Sequence, residues 1–137
     1  TEVRSLPIRL DKYDYVQNIA RNNGKENFHI IVKDGKFGLL YYRESFFRSR
    51  GRIVTKCLYD YIMIASQTKN SGEIIIGINN QYGLLHWKLG KYRFLDDKQI
   101  VQPQFDKIDI ESHLPLRFKA TKGNDIYYYD STCHLMK

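Results

Sequence analysis

The chain reads as an all-β protein made of three imperfect repeats of about 45 residues, each a hairpin with one or two added strands. Three observations lead there. Tyr13-Asp14-Tyr15-Val16 returns as Tyr59-Asp60-Tyr61-Ile62 and again as Phe105-Asp106-Lys107-Ile108, at a step of 46 residues each time. Phe37-Gly38-Leu39-Leu40 returns as Tyr82-Gly83-Leu84-Leu85 at a step of 45. Eleven tyrosines in 137 residues suit pleated, half-buried surfaces. A curved sheet, a solenoid-like stack of sheets and a partly open barrel all satisfy the pattern. The length fits a single repeat domain spanning 1–137, with units of roughly 1–32, 33–78 and 79–121 and a partial unit 122–137.

Taken in order, Leu6-Pro7-Ile8 holds the strand position that precedes Tyr13. Asp14 to Asn22 offers two readings. Val16, Ile19 and Ala20 have helical spacing behind a capping Asp14, but the equivalent Asp60-Tyr61-Ile62-Met63-Ile64 is poor helix material, and repeats share structure, so a strand is expected. Phe28 to Val32 is β-branched and strand-length, and Asp34-Gly35 favours a tight hairpin turn because both positions tolerate positive φ. Phe37 to Tyr42 is the partner strand, and Arg52-Ile53-Val54 a further one.

The layout then repeats. Glu73 to Ile78, Asn79-Asn80 and Tyr82 to Trp87 form the second hairpin, followed by Gln99-Ile100-Val101. Phe118 to Thr121, Lys122-Gly123-Asn124 and Ile126 to Tyr129 form a degraded third. Gly35, Asn80 and Gly123 are taken as equivalent turn positions. The segments Arg43–Gly51 and His86–Asp97 read as inserted loops that emerge on one side of the array, where repeat proteins often bind.

The recurring residues carry structural logic. Gly38 and Gly83 suit a bulge or a close backbone approach within a strand. Asp14, Asp60 and Asp106 can accept backbone N–H bonds and tie down a turn. Phe37, Tyr82, Tyr13, Tyr59 and Phe105 supply large rings for burial.

On these residues the chain resembles the bacterial WG repeat family. That family's pattern is a charged turn with Gly, aromatic-Gly-Leu-Ile, an Ile-Val-Pro strand, and Tyr-Asp with an apolar residue two positions on. The matching residues are Lys33-Asp34-Gly35-Lys36-Phe37-Gly38-Leu39-Leu40, Arg52-Ile53-Val54 and Tyr59-Asp60-Tyr61-Ile62. The next copy matches through Tyr82-Gly83-Leu84-Leu85, Gln99-Ile100-Val101-Gln102-Pro103 and Phe105-Asp106-Lys107-Ile108. The family's tryptophan is replaced by Phe37 and Tyr82, and in the last copy Asp125 stands where the glycine belongs. The resemblance implies an all-β repeat module with no catalytic residue and no cofactor.

Charge is uneven. Residues 1–56 carry a net +6 and the remainder +1, out of a total of +7. Such asymmetry suits either a solvated surface or an anionic partner for the first half. No apolar stretch approaches the ~20 residues of a membrane-spanning helix. The opening Thr1 is compatible with an upstream signal removed or with a piece of a longer protein, so a periplasmic or cell-surface location fits as well as a cytoplasmic one. Cys57 and Cys133 fit either reduced thiols or one bridge worth about 4 kcal/mol.

Candidate chemistry is sparse. His29, His86, His113 and His134 show no metal-ligand spacing with the cysteines. A nucleophile at Cys57 or Cys133 with His134 as base lacks an orienting third group, and Cys57 sits in a core-like strand that predicts an inert thiol. No phosphate-cradling loop and no nucleophile elbow is present. No metal, cofactor or enzymatic activity is expected.

Binding is the better expectation. Arg43, Phe46, Phe47, Arg48, Arg50 and Arg52 interleave cations with rings, and Trp87, Lys88, Lys91, Tyr92 and Arg93 do so in the next copy. Arginine forks grip carboxylates and phosphates, while Phe47, Trp87 and Tyr92 would anchor in a partner's pocket. The expected partner is a protein with an acidic surface. Nucleic acid held by the Arg43–Arg52 segment and cell-surface glycans held by exposed rings are the alternatives. Edge strands of an open array also invite homodimers.

Overall fold

The computed structural model describes residues 13–22, 26–44, 49–68, 71–89 and 95–136. Among these, twelve strands form three antiparallel four-stranded sheets, none closed into a barrel and none joined by a helix. The chain divides after Tyr59 into two compact units. The strand reading of Asp14 to Asn22 holds, since that stretch forms the first strand and pairs with the second.

The first unit is one meander of β1 (Tyr15–Asn22), β2 (Glu26–Lys33), β3 (Lys36–Glu44) and β4 (Ser49–Tyr59). Asp34 and Gly35 take φ of 55° and 78° between the paired Lys33 and Lys36, the backbone that a two-residue hairpin needs to match strand twist. Leu39 and Leu40 point to opposite faces of the sheet, and both are buried. Phe28 and Tyr41 are directly opposed on β2 and β3, with ring centroids 5.1 Å apart.

The second unit holds two sheets. β5 (Tyr61–Gln67), β6 (Ser71–Ile78), β7 (Gln81–Leu89) and β8 (Leu95–Phe105) form one. β9 (Lys107–His113), β10 (Leu116–Lys122), β11 (Asp125–Asp130) and the two-residue β12 (Leu135–Met136) form the other. Ile75, Leu84, Val101 and Phe105 on one face of the first pack against Ile108, Phe118 and Ala120 of the second, with Tyr127 and Tyr129 closing over Phe105. Burying these side chains drives the two sheets together, at roughly 1.5–3 kcal/mol for each large apolar group. The neighbouring residues Ile74, Ile76 and Leu85 lie on the other face and are equally buried, which explains the unbroken apolar run of β6.

The far face of the last sheet is different. Phe118 and Ala120 face the core, so Arg117 and Lys119 face away from it. Lys107 pairs with Asp109 at 3.5 Å, and Arg117 with Glu111 at 3.7 Å, on partly exposed side chains. Counting back from the turns, Lys119 and its partner Asp109 occupy the stations of Ile75 and Met63.

Each sheet begins one residue after a landmark aspartate, so the structural repeat runs from landmark to landmark. The unit limits drawn from the sequence at 33, 79 and 122 fall instead at the central hairpin of each sheet. The third turn also shifts by one. Lys122 pairs with Asp125 around Gly123-Asn124, so Gly123 matches Asp34 and Asn79 and not Gly35 and Asn80. By the same count Tyr127, not Asp125, stands at the glycine station of Gly38 and Gly83.

That exchange has a steric cause. β4 and β8 each bulge at this point, where Lys56–Leu58 and Gln102–Gln104 are spanned by single residues on the opposite strand, Gly38 and Gly83. A Cβ on Gly38 would lie 2.7 Å from the Thr55 carbonyl oxygen and 2.8 Å from the Lys56 carbonyl carbon. A Cβ on Gly83 would run into the Val101 carbonyl in the same way. Beside β11 the fourth strand is only Leu135–Met136, paired with Tyr129 and Tyr128, so a side chain is tolerated at Tyr127.

Candidate functional site

The three landmark aspartates do one identical job. The backbone N–H of Asp14, Asp60 and Asp106 donates to the carbonyl of Val32, Gly77 and Thr121, each at 2.8 Å. Their Oδ2 atoms accept the N–H of Asp34, Asn79 and Gly123 at 2.8, 2.9 and 2.8 Å. Each carboxylate thus ties the start of a sheet's first strand to the turn between its second and third. Asn79 and Asn80 hold positive φ there without a glycine, which asparagine tolerates. These residues, with the buried Tyr59 and Phe105, make the scaffold.

The segments read as loops are largely ladder. β3 and β4 stay paired out to Glu44 opposite Ser49, and β7 and β8 out to Leu89 opposite Leu95. Arg43 sits directly opposite Arg50, and Arg52 is opposite Tyr41, two residues along. Phe46, Phe47, Arg48, Lys91, Tyr92 and Arg93 lie outside the described residues. Lys88 is exposed near the end of β7.

Trp87 corrects an expectation. It is fully buried, opposite Gly72 on β6, and a Cβ on that glycine would meet the indole ring itself. Glycine and tryptophan together fill one row of the sheet, so this ring is core and not an exposed anchor. Its neighbourhood of charged and aromatic residues resembled a binding loop in sequence, whereas the register makes it an interior strand position.

Two polar features were not visible from motifs. Glu73 and His86 are opposed on β6 and β7, both buried, with Oε2 and Nδ1 2.7 Å apart. They occupy the station that Phe28 and Tyr41 fill in the first sheet. Burial raises the Glu73 pKa, and hydrogen bonds from His86 and Ser66 together with the His86 charge oppose that rise. His29 on β2 is buried as well, and burial lowers its pKa.

The second feature is a hollow of about 320 Å3 lined by Tyr61, Ile75, Tyr82, Asp106, Lys107 and Ile108. Tyr61, Gly77 and Tyr82 form one cross-strand row. The two rings meet edge to face over the glycine, with centroids 5.5 Å apart. The signal in sequence was Gly77, the one glycine beside Tyr82 in register.

Nucleophilic chemistry finds little support in the cysteines. Neither Cys57 nor Cys133 is in a disulfide. Burial, helped by the charges of Glu73 and Asp130, pushes the Cys133 thiol up to about 12, opposite to activation. His134 shares a 2.7 Å hydrogen bond with the Thr132 hydroxyl, inside a turn that Asp130 Oδ1 organises by accepting the N–H groups of Thr132 and His134. Cys57 is half-buried, its Sγ 3.7 Å from the Ile31 carbonyl. Among the described residues no three His, Cys, Asp or Glu side chains converge as a metal site, and no helix is long and apolar enough to cross a membrane.

Comparison with family models, with curated proteins and with solved structures finds no match to this chain.

Proposed function

We propose that the chain is a non-catalytic interaction module that holds an acidic segment of another protein through the β3–β4 arm. The observation that carries this reading is the register that sets Arg43 directly opposite Arg50, with Arg52 two residues along. Like charges directly opposed on a ladder are destabilising by themselves, and a carboxylate between them relieves the repulsion while gaining paired N–H bonds. The net +6 of residues 1–56 would steer such a partner to this end of the chain. The WG-type resemblance belongs to the same proposal and is supported by the identical bonding of Asp14, Asp60 and Asp106.

The test is fluorescence anisotropy with a labelled poly-glutamate peptide and a single-stranded oligonucleotide of equal charge, across a salt series. The peptide is expected to bind at low salt, and Arg43→Glu with Arg50→Glu to weaken it at least tenfold. Charge reversal without effect overturns the reading. Tighter binding of the oligonucleotide, with log K falling linearly in log salt, replaces the protein partner with nucleic acid.

A further inference from the structure

We propose that the outer edge of β5 is where a second copy of this chain adds, strand to strand, about a two-fold axis. β5 ends its sheet, and among the described residues nothing pairs with its other side. An open edge is a template for another strand, and soluble proteins guard such edges with charge, proline or brevity. The remaining edge strands are guarded in this way. β4 carries Arg50, Arg52 and Lys56, and β8 carries Asp96, Asp97, Lys98 and Pro103. β9 carries Lys107, Asp109 and Glu111, β1 carries Arg21, and β12 is only Leu135–Met136. β5 reads Tyr61-Ile62-Met63-Ile64-Ala65-Ser66-Gln67, with no charge, no proline and no glycine, the composition that favours assembly of strand on strand. Tyr61 is exposed and every later residue half-buried, whereas the interior strand β6 is buried almost throughout.

Register names the groups that would bond. The Gly77 carbonyl accepts the Asp60 N–H, so the backbone groups of Gly77 face β5. Directions alternate along an antiparallel ladder. Those of Ile76 therefore face β7, and its partner Ile62 turns its N–H and C=O away from the sheet. Met63, opposite Ile75, points inward again, and Ile64, opposite Ile74, points outward. Setting Ile62 against Ile64 of the second copy, and Ile64 against its Ile62, lets all these outward groups bond. The axis then passes by Met63, which meets its own counterpart. Ile-Met-Ile reads alike in both directions and bears no charge, so this edge is complementary to itself, and that commits it to a second copy. The same station in the other sheets holds Val16-Gln17-Asn18 and Ile108-Asp109-Ile110. There a two-fold axis would set Asp109 directly against Asp109, or bring polar Gln17 and Asn18 into the contact. The bulge between Ile64 and Ser66 ends the flat stretch, so the interface is short and its dimer weak and reversible. Both edges are used up in the pair, so association stops at two. No residue of the arginine arm takes part, and the two sites stand or fall separately.

Sedimentation velocity of the full chain over a concentration series, read beside amide hydrogen exchange, tests this. A monomer–dimer equilibrium is expected, with a Kd on the order of 100 μM. The Ile62 and Ile64 amides should gain protection as the chain is concentrated, and the Met63 amide, already in the ladder, should change little. Met63→Asp copies the residue at this station of β9 and should weaken the dimer at least tenfold. Lys119→Ala, on the far face of the last sheet, should not. If Met63→Asp loses its fold, Ile64→Pro decides, because proline there removes an outward N–H and no bond between β5 and β6. A monomer at every concentration overturns the proposal, as does a dimer whose Kd both β5 variants leave unchanged. Protection gained at another edge strand instead of at Ile62 and Ile64 overturns it too, and growth beyond two copies refutes the two-fold pairing.

Discussion

Gly83→Ala isolates the steric rule that shapes the repeat. The new methyl would sit 2.8 Å from both the Gln102 carbonyl carbon and the Pro103 nitrogen, with the Val101 oxygen closer still. All three are backbone, so no side chain can rotate away. Ordinary contact begins near 3.4 Å, so relieving the 2.8 Å contacts alone moves β8 by about 0.6 Å, and the closer Val101 oxygen demands more. Such a displacement carries ladder N···O distances from ~2.9 Å to ~3.5 Å or beyond, where hydrogen bonds fail. Two or three such bonds at about 1 kcal/mol each, with overpacking strain of about 1–3 kcal/mol, give a loss of roughly 3–5 kcal/mol. Gly35→Ala is the control: its Cβ meets nothing, but φ of 78° makes alanine cost about 1–2 kcal/mol. Urea unfolding followed by fluorescence of the single, buried Trp87 reads both variants. A Gly83→Ala loss below that of Gly35→Ala would refute the reasoning.

Asp106→Ala removes the acceptor for the Gly123 N–H but keeps the backbone bond to Thr121, so a loss of about 1–2 kcal/mol in the same assay is expected, as for a helix cap. Trp87→Ala should cost about 3–5 kcal/mol and leave peptide binding by the arginine arm intact in the folded fraction. Cys133 should react with iodoacetamide at pH 8 roughly a thousandfold more slowly than a thiol of ordinary pKa 9.0, because a pKa of about 12 leaves a thousandth of the thiolate. For Glu73, burial sets a folded pKa above the ordinary 4.5. Its contribution is then complete below pH 4.5 and is lost as pH rises through the folded value, so the stability of the wild type relative to Glu73→Gln should decline between pH 4 and pH 7. A flat or rising difference would contradict it.

The all-β class and the central hairpins were legible because two signals agree: a period of 45 to 46 residues and a turn dipeptide that tolerates positive φ. Asp34-Gly35 shows this best. The third copy was harder, since Lys122-Gly123-Asn124 offers two ways to align one glycine, and only the Lys122–Asp125 pair decides between them. The length of β4 and β8 was not legible either. Residues such as Ser49 and Arg50 have no strand signature of their own and are held in the ladder by their neighbours' pairing. Trp87 was misplaced for a related reason: composition marks a charged, aromatic segment, but only register shows that its ring covers Gly72. The Glu73–His86 pair and the tyrosine hollow depend on which residues face each other across strands. One strand's sequence carries no such information without the fold.

The far face of the last sheet has a consequence for self-association. A sheet whose two faces are both apolar is a template, and each added layer presents the surface for another. Where Met63 and Ile75 would invite that growth, the matching Asp109 and Lys119 put charges that a dry contact would strip of water. The two sheets of the second unit thus share one backbone plan and differ in side-chain polarity at fixed stations, and a charged face of this kind disfavours dry sheet-on-sheet growth.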